Sequence, residues 1–181
     1  MDAATAPVSG HARPLPTRSW LSRLSTKLGS FGMTAALGLG AIGALAAQCD
    51  PPPPSPQQQV VDIANRHRAD RGIAPLTVNS SLSTAAQNHS TDQARRDRMT
   101  HTGSDGSNAG TRISRTGYSW STWAENVAAG QPDAKSVMSA WMGSSSHRAN
   151  ILNSNLTQVG IGLNYSSNGT PYWTMVLARP G

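Results

Sequence analysis

The chain has 181 residues, of which 37% are hydrophobic, enough for one domain of ordinary size with an appended segment. Its formal net charge is +6, but four of the basic residues (Arg13, Arg18, Arg23 and Lys27) precede an apolar stretch near the N-terminus. From residue 50 onward, 11 basic and 8 acidic side chains leave only +3. Such a surface does not supply the dense cationic stripe of nucleic-acid-binding proteins, so we expect no nucleic-acid partner.

Residues 1–49 are predicted to be a signal peptide or a membrane-anchoring segment. Residues 31–47 carry no charge and are rich in Gly and Ala, which suits the apolar region of a signal peptide better than a membrane-spanning helix. Residues 44–46 form a small-x-small cleavage motif. Cys49 stands where a lipoprotein cysteine would, although Gln48 is not the small residue that lipidation prefers. We expect a secreted or cell-surface protein that meets a membrane only through this segment.

A proline-rich linker over residues 50–57 separates this segment from a globular domain at 58–181. Four consecutive prolines followed by Ser-Pro favour an extended, stiff spacer. Cys49 is the only cysteine of the chain, so no intrachain disulfide is possible. The core alone must therefore stabilise the domain.

The first half of the domain has helical periodicity. Apolar residues at helical spacing predict a first helix at about 57–71, with Gly72 as its stop. Residues 76–78 form a short extended link, and Asn79 or Ser80 begins a second helix that ends near Met99. Small and polar residues predict a loop at 102–111, and a short helix around Ile113 closes at Gly117.

The rest of the domain changes from helix to strand. Residues 118–132 are predicted to be irregular, and a third long helix follows at about 133–143 with Asp133 in its first turn. Two alternating apolar runs, 159–165 and 172–178, flank Asn168-Gly169 and predict an antiparallel hairpin. Helices followed by an antiparallel sheet indicate an α+β fold with helix packed on sheet.

Few residues of the domain can carry chemistry. Glu125 is the only glutamate and is flanked by apolar residues, where a carboxylate needs a partner. His101 and His147 come from separate segments, and the three side chains form either a metal site or a hydrogen-bonded structural cluster. No HExxH, CxxC, GxSxG or phosphate-binding glycine motif is present. Four tryptophans are candidates for a sugar- or lipid-binding groove or for the core: Trp120, Trp123, Trp141 and Trp173.

Four motifs follow one another along the domain: MTHTG at 99–103, WAENVAAG at 123–130, WMGSSSHRANIL at 141–152 and VGIG at 159–162. This ordered series resembles the CAP superfamily, the cysteine-rich secretory, antigen 5 and pathogenesis-related 1 proteins, and in particular its secreted bacterial branch. The resemblance extends from about Val60 to Arg179.

The resemblance implies an α-β-α sandwich with a central antiparallel sheet and a shallow cleft. In the family, two His and two Glu line this cleft and can bind a divalent metal, and His101, Glu125 and His147 match three of the four. Ser144 occupies the position of the second family glutamate, so any zinc or similar ion is expected to bind weakly. Asn126, which adjoins Glu125 in its motif, is counted with the cleft.

Two functions follow from this interpretation. The favoured one is a secreted, non-catalytic binding module whose cleft binds a lipid, a glycan or a protein. The alternative is a metal-dependent hydrolase acting on peptide or cell-wall substrate, with histidines holding the metal and Glu125 as general base. The missing second carboxylate argues against the enzyme, and a shared fold does not fix an activity.

Overall fold

The computed structural model describes residues 52–181, so the predictions for the signal segment and for Cys49 lie outside the described residues. Five helices and four strands follow one another: α1 (Pro56–Ala69), β1 (Thr77–Val78), α2 (Ser80–Arg95), α3 (Ala109–Arg115), β2 (Trp120–Ala129), α4 (Ala134–Gly143), α5 (Ser145–Ile151), β3 (Gln158–Tyr165) and β4 (Pro171–Pro180). Within residues 52–181 no helix combines the length and the apolar character needed to cross a bilayer.

Side-chain caps set the starts of the long helices. The Ser55 hydroxyl accepts a hydrogen bond from the backbone N–H of Gln58 at 3.1 Å, and Pro56 occupies the first position of α1, where its missing N–H costs nothing. Asn79 caps α2 in the same manner. Asp133 caps α4 by accepting from the N–H of Ser136 at 2.7 Å, so it precedes the first turn in which it was predicted.

The strands form one sheet in the order β1-β3-β4-β2. β4 pairs antiparallel with both β3 and β2, which confirms the predicted hairpin. β1 adds a two-residue parallel edge to β3, so the sheet is mixed rather than wholly antiparallel. The strand that ends the sequence therefore lies in the interior of the sheet.

The sheet is covered on both faces, as an α-β-α sandwich requires. On one face, α1, α4 and α5 pack on residues such as Trp173 and Met175 of β4 to form the larger core. On the other face, α2 and α3 pack on Val176 and Ala178 of the same strand. Successive side chains of β4 thus serve opposite cores, because side chains alternate across a strand. The predicted α+β class is confirmed.

Two glycines of β3 allow α2 to lie directly on the backbone of the sheet. A Cβ atom at Gly160 would lie 2.1 Å from the carbonyl carbon of Leu82, and one at Gly162 would lie 2.3 Å from the carbonyl oxygen of Ala86. Real side chains do not approach backbone this closely. Any side chain at these positions would therefore push α2 away from the sheet.

The prediction that residues 118–132 are irregular is wrong, because most of them form β2. The Trp-x-x-Trp spacing of Trp120 and Trp123 does not fit the two-residue period of a strand. The pairing with β4 is shifted between Trp120 and Thr122, so Ser121 is an extra residue in a β-bulge. The bulge conceals the alternation in the sequence and places both indoles on the same face of β2.

Two helix boundaries also differ from the sequence prediction. Helix α2 ends at Arg95 and not near Met99, and Asp97, just beyond it, has a positive φ of 49° that is incompatible with helix. His147 does not simply follow α4 but lies within the short helix α5, which the periodicity did not indicate. Seven residues that begin Ser-Ser-His-Arg are too short and too polar to show a helical period.

Candidate functional site

The carboxylate of Glu125 is buried in the middle of β2, with 2% of its side chain exposed. Its Oε2 accepts a hydrogen bond from Nη2 of Arg112 at 2.6 Å, and its Oε1 accepts from Nδ1 of His101 at 2.9 Å. Arg112 is itself anchored, because its Nη1 donates to the carbonyl of Ser107 at 2.8 Å. Both oxygens of the only glutamate are therefore engaged, and its negative charge is balanced within the fold.

His101 extends from the segment after α2 toward solvent, and 59% of its side chain is exposed. Its hydrogen bond to Glu125 raises the pKa of the imidazole, although partial burial opposes this shift. Because Nδ1 donates to the carboxylate, Nε2 is the ring atom left to meet a ligand.

A cleft with a volume of about 380 Å³ opens in front of this pair. Its lining combines one indole with short polar side chains: His101, Thr102, Asn108, Ala109, Trp123, Ala124, Glu125 and Asn150. Asn108 uses its Oδ1 to cap α3, which leaves its amide donors to the cleft. Asn150 uses its amide nitrogen internally, which leaves its Oδ1 as an acceptor. The cleft therefore offers neutral donors and acceptors beside an aromatic surface.

The other three predicted site residues do not line the cleft. His147 is close enough for His101 to affect it, since burial first, and the charge of His101 second, lower the pKa of its imidazole. Ser144 lies at the junction of α4 and α5, where its hydroxyl is 3.3 Å from that of Ser146. Asn126 is fully buried, and its amide donates to the carbonyl of His147 at 3.1 Å. Asn126 thus ties α5 to β2.

Two side chains that sequence reasoning missed complete the network. Arg112 neutralises Glu125, and His89 of α2 lies with its Nε2 4.0 Å from Oε1 of Glu125. Nε2 of His89 donates to the carbonyl of Thr100 at 2.8 Å, which fixes the segment that leads to His101. A lone buried glutamate indicated that a cation should be nearby, but nothing in the sequence distinguished Arg112 from the other arginines.

A metal would have to compete for Glu125 with the guanidinium of Arg112. Among residues 52–181, no three His, Cys, Asp or Glu side chains come together in an arrangement that could hold an ion. The carboxylate oxygens of Glu125 are already bonded, so this donor set does not fit a divalent cation without rearrangement. Weak metal binding stays a prediction.

Comparison with known proteins agrees with the fold. The sequence profile of the Cysteine-rich secretory protein family, CAP, matches residues 61–177. The chain belongs to this family. A relative of 34% identity over 118 residues is the uncharacterised protein YkwD of Bacillus subtilis; the match covers 65% of this chain and 45% of YkwD.

Solved structures of CAP domains show the same architecture. An extracellular protein with an SCP domain from Bacillus anthracis superposes with a TM-score of 0.62 at 25% identity, over 68% of this chain and 40% of that one. An outer surface protein of Borrelia burgdorferi superposes with a TM-score of 0.64 at 18% identity, over 68% of this chain and 92% of that one. The chain spans less than half of the length of the Bacillus anthracis protein and of YkwD.

His101 of the cleft and its neighbour His147 are expected to titrate on opposite sides of the ordinary histidine pKa of 6.5. His101 should titrate above this value because it is hydrogen-bonded to Glu125, and His147 should titrate below it because it is partly buried. NMR spectra of the two imidazoles recorded between pH 5 and 8 (about the range over which histidine titrates) measure both values. The same pKa for both, or the reverse order, would contradict the His101–Glu125 hydrogen bond.

The raised pKa of His101 also has a defined effect on stability. Because folding favours its protonated form, its contribution to the free energy of unfolding is fully present below pH 6.5. That contribution disappears as the pH rises through the folded-state pKa. His101→Ala should therefore destabilise the protein more in mildly acidic than in alkaline solution.

Proposed function

We propose that this chain is a secreted, non-catalytic binding module whose cleft holds an uncharged glycan. The observation that carries the proposal is the state of Glu125. Its carboxylate is buried, paired with Arg112 at 2.6 Å and hydrogen-bonded to His101 at 2.9 Å. A general base must be free to take a proton from water, and a carboxylate held by a guanidinium is poorly suited to that role. Glu125 instead orients His101.

The chemistry of the cleft favours a glycan over the lipid and protein partners that the sequence left open. Apart from Nε2 of His101, its polar groups without internal partners are neutral donors and acceptors, from Thr102, Asn108 and Asn150. Sugar hydroxyls both donate and accept, and the indole of Trp123 offers an apolar surface to the C–H face of a pyranose ring. A lipid chain would need a lining that is mainly apolar.

Secretion is supported by the family and by the sequence before the domain. One structural relative is described as extracellular and another as an outer surface protein. The uncharged stretch at 31–47 and the cleavage motif at 44–46 supply the matching export signal. A glycan-binding module outside the cytoplasm meets abundant ligand in the cell wall.

Calorimetric titration with a trisaccharide of N-acetylglucosamine, and separately of glucose, tests the proposal on the purified protein. We expect saturable binding to at least one sugar, a loss of about 3- to 10-fold in affinity for Thr102→Val, which removes one neutral hydrogen bond, and a loss at least as large for His101→Ala, which removes the Nε2 donor. Ser139→Ala, on the exposed face of α4, is the matched control and should bind as the parent does. No binding to either sugar would contradict the proposal.

The hydrolase alternative is tested by zinc titration of the parent protein and of His101→Ala and His147→Ala. Tight zinc binding that His101→Ala and His147→Ala both abolish would establish a convergent metal site and favour the enzyme. Under the proposed function, zinc binds weakly, and sugar binding proceeds unchanged in the presence of a chelator. The two outcomes are mutually exclusive for a single cleft.

A further inference from the structure

A second groove lies on the surface of the domain, and Trp120, which lines it, contacts Trp123 of the glycan cleft. This groove has a volume of about 460 Å³ and is lined by Ser114, Gly117, Tyr118, Ser119 and Trp120. Trp120 is 36% exposed, whereas Trp141 and Trp173 are buried in the core. Trp123 is half-buried against the core beneath α2 and α3, so the surface pair consists of one exposed ring, Trp120, and one half-buried ring, Trp123.

The surface pair joins the groove to the cleft. The ring centroids of Trp120 and Trp123 are 6.3 Å apart, and the rings are nearly perpendicular, at 87°. Trp123 lines the cleft, and Trp120 lines the groove. The extra residue Ser121 in the bulge makes the two tryptophans neighbours on one face of β2. The bulge thus turns the Trp120 side chain to the same side of the strand as Trp123.

The exposed indole is held in place rather than free to rotate. Its Nε1 donates to the hydroxyl of Ser114 at 3.0 Å. Both indoles rest on Gly110 of α3, where a Cβ atom would lie 2.6 Å from Nε1 of Trp123 and 3.2 Å from Cζ2 of Trp120. A fixed aromatic ring loses little conformational entropy when a ligand binds, which is what a recognition surface requires.

We infer that the groove at Trp120 is a second sugar subsite, and that the ligand is an oligosaccharide long enough to cross from Trp123 to Trp120. This inference rests on the proposed function of the cleft. Trp120 supplies the stacking surface, and the hydroxyls of Ser114 and Ser119 lie at its border to bond the sugar hydroxyls. When one oligosaccharide occupies both subsites, its second contact is intramolecular, so the affinity rises with the length of the oligosaccharide.

A length series of oligosaccharides tests the subsite. Calorimetry compares two-, three- and six-unit oligomers of N-acetylglucosamine, with glucose oligomers of the same lengths as a second arm that identifies the sugar chemistry. We expect the parent protein to bind the hexamer at least about tenfold more tightly than the dimer, and Trp120→Ala to lose most of that gain while binding the dimer unchanged. Trp120→Phe, which keeps a ring, should retain part of the gain.

The controls separate the subsite from the cleft. Tyr165→Ala removes an exposed aromatic side chain elsewhere on the sheet and should leave the length dependence intact. Equal affinity for dimer and hexamer, or a Trp120→Ala variant that keeps the gain, would overturn the subsite and leave the glycan cleft standing. Failure of the parent protein to bind any of the oligomers would overturn the glycan cleft and the subsite together.

Discussion

Replacing Arg68 with methionine is expected to lower the free energy of unfolding by about 3–5 kcal/mol. Arg68 is 1% exposed, and within residues 52–181 no carboxylate lies within ion-pair distance of it. Its guanidinium donates instead to four carbonyls, those of Ala74, Ile151, Asn153 and Leu156, at 2.8 to 3.0 Å. Methionine fills much of the same volume but donates to none of them, so buried acceptors would be left without partners.

The physical role of Arg68 is to close the C-terminal end of α5. The carbonyl of Ile151, the last residue of that helix, has no partner within the helix and carries part of the negative end of its dipole. The Arg68 guanidinium gives the Ile151 carbonyl a donor and places a positive charge at the negative end of the helix dipole, and it also bonds the loop that follows α5. Burial lowers the pKa of Arg68, but the starting value is high enough for the charge to persist.

Urea denaturation of Arg68→Met measures the loss, with Arg66→Met as the matched control. Arg66 is on the same helix but is exposed, so its replacement should change stability by less than about 0.5 kcal/mol. Arg68→Lys keeps the charge without the planar fork of donors and should fall between the two. Equal stability of the two methionine variants would show that the carbonyl contacts do not stabilise the fold.

A single methyl group at Gly162 is expected to destabilise the protein by about 3 kcal/mol, which is large for a change from glycine to alanine. The added carbon would lie 2.3 Å from the carbonyl oxygen of Ala86, which belongs to a helix backbone and cannot rotate away. To remove this clash α2 would have to move away from the sheet, and the core between α2 and the sheet would then lose its close packing.

Gly143→Ala provides the control for that prediction. Gly143 is the last residue of α4, no atom lies within 4 Å of a Cβ built on it, and its φ is not positive. Alanine there should be neutral or slightly stabilising, because glycine is a poor helix former. Thermal unfolding of both variants measures the difference. A Gly162→Ala variant as stable as Gly143→Ala would mean that α2 does not rest on β3 as described.

The sequence predicted the elements whose signals are local. Asp133 and Asn79 indicated their helices because capping depends on a few neighbouring residues, and Asn168-Gly169 between alternating runs indicated the hairpin. Strand β2 was missed because the bulge at Ser121 breaks its period. The extent of α2 was misjudged because helical periodicity does not reveal where a residue in the left-handed conformation, such as Asp97, ends the helix.

The site was predictable only in part, for a related reason. His101 and Glu125 were identified through the motifs that carry them, and they do meet at 2.9 Å. The partner that decides the chemistry of Glu125 is Arg112, which is 13 residues earlier in a separate helix. Contacts between elements depend on how those elements pack, and a single sequence holds no direct record of packing.

The strand order β1-β3-β4-β2 has a consequence for the time at which this domain folds. β4, residues Pro171–Pro180, lies between β3 and β2, which both precede it in the chain, so before β4 is in place β2 has no partner strand and β3 has only the two-residue edge of β1. Most of the pairing is therefore long-range, a property that slows folding. For an exported protein, as proposed above, slow completion of the sheet lengthens the time that the chain spends unfolded, which is the state that a secretion channel accepts.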